Sequence, residues 1–130
     1  MMTVHAIPQA DILHVMTEGE FSLSEAKRTF LDVIHMVGEL RLGKILFDGQ
    51  QIIGNPVTIE RFYYGEFVAD EVNKLIADGW DDDLRFAYVL LEPVLDELRL
   101  GETVAVNRGM NVRAFDNRVD AITWLGWRTS

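Results

Sequence analysis

The chain alternates between short runs of β-branched and aromatic residues and longer stretches whose apolar positions return every three or four residues. The first two short runs, VHAI and ILHVMT, flank the turn-forming PQAD, which predicts a β-hairpin. With its turn at Gln9 and Ala10, His5 and His14 face each other across it. Ser22 then precedes Glu25 by three residues, the spacing at which a serine hydroxyl accepts from the glutamate amide while the glutamate reaches back. A helix should start there. Leu23, Ala26, Phe30, Val33, Ile34, Val37 and Leu40 share one of its faces, and Glu25, Arg28, Asp32, His35 and Glu39 stay outside.

The apolar Lys44-Ile45-Leu46-Phe47-Asp48-Gly49 reads as a strand buried on both faces, closed by a turn former. After a loop from Gln50 to Gly54, Asn55 can cap a second helix. Pro56, with its fixed φ and missing amide, suits the first helical position, and the helix should run to about Asp78. Arg85 to Leu91 is the next strand. Pro93 opens a helix carrying Val94, Leu95, Leu98 and Val104 despite Gly101. Asn111 to Phe115 forms the last strand, and Asp116 or Asn117 caps a final helix that bears Val119, Ile122 and Leu125. The order ββαβαβαβα predicts an α/β fold with a mixed, mostly parallel sheet of about five strands and about four helices. The hairpin supplies an antiparallel edge, and the helices cover both faces or gather on one.

Composition narrows the classes. The 130 residues, 48% of them apolar, suit a single domain over 1–130 and contain no uninterrupted run of membrane-spanning length. The opening MMTVHAIPQAD has no basic flank before an apolar segment, so a cytoplasmic address is expected rather than export. With no cysteine, disulfides, thiol catalysis and thiolate zinc sites are excluded. A net charge of -9 repels phosphate backbones and anionic lipid, so neither nucleic acid nor a membrane is expected as a partner.

Lys44-Ile45-Leu46-Phe47-Asp48 after the first helix, and Val112-Arg113-Ala114-Phe115-Asp116 leading into Ala121-Ile122-Thr123-Trp124-Leu125, resemble the STAS-like group related to bacterial anti-sigma-factor antagonists. The resemblance spans nearly the whole chain and implies a STAS-like fold and a non-enzymatic regulatory or protein-interaction module. In better characterised members, the loop after the central strand carries a phosphorylatable serine at the start of the next helix, and that site binds a partner kinase. Here the stretch from Asp48 to Thr58 lacks the group's Asp-Ser-Ser signature. Thr58 is the hydroxyl near that helix start. It either presents a phosphate to free helical amides or satisfies its own first turn.

No Gly-rich phosphate loop, dinucleotide fingerprint or His-Glu-x-x-His occurs. The three histidines fall in strand or helix interiors, away from strand-to-helix loops, so no nucleophilic triad is indicated. His5 with His14 makes at most two metal ligands, and the acidic Gly79-Trp80-Asp81-Asp82-Asp83 lacks the spacing of a calcium loop. Glu18 and Glu20 show no shared pocket, and no metal or cofactor is implied. The best site candidate is the stretch Asp48 to Thr58 at the carboxyl end of a central strand, where open α/β sheets hold ligands. Gly49 and Gly54 permit close approach, and Asn55 and Thr58 offer polar groups. The alternative function is a binding protein or enzyme that takes a small molecule, a nucleotide or an acyl ligand, in that crevice.

Arg61 falls between Val57, Val68 and Val72 on the face expected to be buried; it pairs with Asp48, reaches an anion in the crevice, or snorkels at the helix start. Opposite lies a second apolar stripe of Ile59, Tyr63 and Phe67. It is covered either by a second copy in a homodimer or from within the chain by Trp80 or the Trp124 to Trp127 tail.

Overall fold

A computed structural model describes residues 2–9, 11–53, 58–77, 79, 84–91, 102–108 and 110–126, with backbone alone at 2, 53 and 58–62. Strand β1 (Met2–Gln9) lies antiparallel to β2 (Ile12–Glu20), with Gln9 opposite Ile12. Ile12 is wholly buried and already in register with Lys44, so β2 begins there. This places His5 opposite Met16 and His14 opposite Ile7, which corrects the expected facing pair of histidines. Helix α1 (Leu23–Leu40) starts as its sequence requires, the Ser22 hydroxyl accepting from the Glu25 amide at 3.5 Å. Arg41, in the left-handed conformation, ends it by donating its N–H to the Val37 carbonyl. Ala26, Phe30, Val33 and Val37 are buried, but Leu40 is not: in the last turn Met36 packs against the core instead.

Strand β3 (Lys44–Ile53) is longer than its apolar core suggested. Residues 50–53, expected in a loop, continue the strand beside the polar end of β2. Met16 pairs with Asp48 and Glu18 with Gln51, so β3 takes three steps where β2 takes two; this bulge lets pairing go on to Ile53. Helix α2 (Thr58–Ala77), strand β4 (Arg85–Val89), the helical residues 102–107 (α3), strand β5 (Val112–Phe115) and helix α4 (Arg118–Leu125) complete the order. The sheet runs β1-β2-β3-β4-β5, with all pairs but the first parallel. Asn117 is the cap of α4 and accepts from the Asp120 amide.

The helices cover both faces. Val15, Ile45, Phe47 and Phe86 meet Phe30 of α1 and Val68 of α2, in a core that also takes in Ala105 of α3. On the other face Ile12, Leu46, Ala87 and Val89 meet Ala121 and Leu125 of the short α4. Val119, expected with Ile122 and Leu125 on that buried side, is instead 73% exposed; α4 seats on the positions four apart at 121 and 125. Gly54 to Val57, the 80–83 acidic turn, the Pro93 helix start and the Trp127 tail lie outside the described residues.

Candidate functional site

At the carboxyl end of β3 the bulge sorts the candidate residues onto opposite faces. Asp48 follows Leu46 in strand alternation onto the α4 side, and its Oδ1 accepts both the Gln50 amide, at 3.2 Å, and the Gln50 side-chain Nε2, at 3.0 Å. The carboxylate thus braces the bulge. Its Oδ2 lies 3.7 Å from Nη1 of Arg118 in the first turn of α4. Among the described residues Arg118 is therefore a cation beside Asp48, a role the sequence offered to Arg61. The Arg61 side chain lies outside the described residues, as do Gly54 and Asn55 and the Ile59 and Thr58 side chains; Thr58 is the first residue of α2.

Arg118 also meets His14, with Nη2 at 3.4 Å from Nδ1. A guanidinium can only donate, which makes Nδ1 the acceptor and assigns the imidazole proton to Nε2. Burial, then the Arg118 charge, hold the His14 pKa below its ordinary 6.5, against the opposing pull of Asp48. Asp48, Arg118 and His14 form a polar cluster beneath the bulge. Among the described residues no group of three His, Asp or Glu side chains is placed to hold a metal.

Gly49 faces the other way, towards α1 and α2. A methyl group there would stand 2.6 Å from Leu90 Cδ2 and 2.9 Å from Ile52 Cδ1, so the glycine lets β3 and the end of β4 close up. Beyond it two small chambers of about 30 Å³ each lie against the carboxyl ends of β3, β4 and β5. Tyr64 of α2, Tyr88 of β4 and Leu90 form the wall they share. Thr17, Thr29 and Ile52 line the first; Glu102, Ala105 and Ala114 line the second. The Tyr64 and Tyr88 hydroxyls are 2.8 Å apart, and Tyr64 stands edge-on to Tyr88 and Phe30. Burial pushes the Tyr64 phenol up to about 12 and Tyr88 well above its usual value. The Glu102 carboxylate accepts the Ala114 amide. Sequence reading missed the tyrosine pair; its signal was a phenol at a core position in both α2 and β4, where phenylalanine would pack without a hydroxyl to satisfy.

On the outer side of α2, Tyr63 is 45% exposed, whereas Phe67 leans against the main core and carries the Lys27 ammonium 5.3 Å above its ring. Phe67 thus has intramolecular cover from Lys27 of α1; the Ile59 side chain, Trp80 and Trp127 lie outside the described residues.

No family model matches the chain, and neither does any curated protein. Solved structures do match. One is the crystal structure of an anti-sigma factor antagonist from Mycobacterium paratuberculosis, which aligns over 97% of this chain and 95% of its own with a TM-score of 0.61. The identity is 12%, so the likeness is one of fold. The STAS-like α/β fold expected from the β3 and β5 sequences is the fold the chain has. No helix among the described residues is long and apolar enough to cross a membrane.

Proposed function

We propose that the chain is a non-enzymatic regulatory module of STAS-like fold that acts in the cytoplasm by docking onto a partner protein. The observation that carries this reading is the end-to-end likeness of fold to a protein that antagonises an anti-sigma factor. The docking end is the connection from β3 to α2, where Thr58 opens the helix and its first amides suit an acidic or phosphorylated group. Tyr63, one turn further along α2, supports self-association as a second contact. Affinity capture from the source cells, with wild type and Thr58→Glu as baits, tests the reading. The expected result is a stoichiometric protein partner retained by wild type and released by the variant; equal recovery on both baits would count against it.

A second reading, small-molecule binding, is favoured by the paired chambers around Tyr64 and Tyr88 at the carboxyl ends of the parallel strands. Native mass spectrometry of freshly purified protein, compared with its denatured mass, reports a bound adduct directly.

A further inference from the structure

Two buried hydroxyls facing one another at 2.8 Å form a single hydrogen bond. Each phenol brings one proton, so the pair holds a second O–H donor that the bond between them does not use. A core built only for packing would gain by losing both hydroxyls, because a buried donor without an acceptor is destabilising. Here the pair stands between two voids, and both tyrosines line each of them. The position is also where parallel strands end and where open α/β sheets recognise ligands.

Building on the small-molecule reading, we propose that Tyr64 and Tyr88 form the recognition element of a site for a small uncharged ligand: an apolar body carrying one carbonyl-type acceptor, which takes the spare phenolic proton. Three features select that chemistry. The chamber walls are mostly aliphatic and aromatic, with Phe47, Leu90 and Val68 among them, which suits an apolar body. Among the described residues the lining includes no lysine or arginine, and Glu102 contributes a carboxylate at the α3 end, which disfavours a phosphate or carboxylate ligand there. Each chamber holds only about 30 Å³, far below the roughly 300–1,000 Å³ of pockets that enclose drug-sized ligands, which excludes a nucleotide. An uncharged acyl or keto compound remains.

The test uses the methyl ketones from 2-butanone to 2-octanone as probes, with the carboxylate and the alkane of matching length as controls. Binding is read by calorimetry and by thermal shift on the full chain. Tyr64→Phe, Tyr88→Phe and the double variant keep the rings, so all three should fold; each single variant leaves one phenolic proton free for the ligand, and the double variant removes the donor. The expected result is saturable binding of a ketone, weakened about tenfold in the double phenylalanine variant and by at least about tenfold for the carboxylate and the alkane, as the loss of one buried hydrogen bond implies. Ketone binding unchanged in the double variant would remove the hydroxyls from recognition. No binding by any ketone would reduce the chambers to packing voids or water sites, while leaving the capture result with Thr58→Glu untouched.

Discussion

The ring of Phe47 on β3 stacks on that of Tyr88 on β4, with centroids 4.5 Å apart and planes 8° from parallel. The two are register partners in the parallel ladder, and Phe30 of α1 lies over Phe47 at 5.9 Å. This aromatic stack joins the centre of the sheet to the helical layer. Phe47→Asp places an unpartnered charge in it and should abolish the cooperative thermal transition. Phe47→Ala should remain folded and lose about 3–5 kcal/mol in urea unfolding. A Phe47→Asp protein that melts like wild type would show that β3 is not a buried strand.

The same strand shows where sequence reading reached its limit. Its apolar half, Ile45 to Phe47, is legible because a run buried on both faces needs no polar alternation. Its second half is not. Residues 50–53 are polar, glycine-flanked and then apolar, a pattern of loops, and only the bulge braced by Asp48 and Gln50 keeps them paired with β2. Caps were readable because Ser22 and Asn117 act within three residues of themselves. The Tyr64–Tyr88 and Asp48–Arg118 contacts join residues far apart in the chain, and no local pattern encodes such pairs. The candidate stretch leaves the carboxyl end of β3, where Gly49 serves the closure of β3 on Leu90 and Asp48 lies on the opposite face from the chambers.

The buried phenols set an alkaline limit on stability. Tyr64 is held up to about 12 and Tyr88 well above its ordinary value, in each case mainly by burial. Below pH 10 both folded and unfolded chains keep these phenols protonated, so their contribution is fully present. As pH rises past 10 towards 12, the unfolded chain releases protons that the native chain retains, and stability falls. Urea unfolding across that window should show the decline, and Tyr64→Phe should flatten it. An equal slope in the variant would mean that other groups cause the loss.

On the acid side His14 acts with the corresponding sign. Its folded pKa lies below 6.5 because burial and Arg118 disfavour the imidazolium. The unfolded chain therefore binds a proton first as pH falls through 6.5, and stability drops until the native His14 also protonates. Thermal melts from about pH 7.5 to about pH 5.5 should show a fall in Tm that is smaller in His14→Gln, which cannot charge. An identical fall in both proteins would assign the effect to another group.

The last prediction concerns α2 as a contact between copies of the chain. An aromatic side chain on an exposed helix face, with charges around it, has the composition of an interface centre, and a two-fold dimer is the simplest way to cover it. Tyr63 fits that description, standing 45% exposed one turn before Phe67. Phe67 does not, because it leans on the core and is roofed by Lys27. A charge at Phe67 would disturb the fold as well as any dimer, so it cannot test the contact cleanly. Tyr63→Glu leaves the buried side of α2, with Val68, Ala69 and Val72, unaltered. Sedimentation velocity at micromolar concentration should then give a dimer for wild type and a monomer for Tyr63→Glu, with equal helical circular dichroism. A wild-type monomer, or a dimer equally stable in the variant, would place no interface on this face of α2.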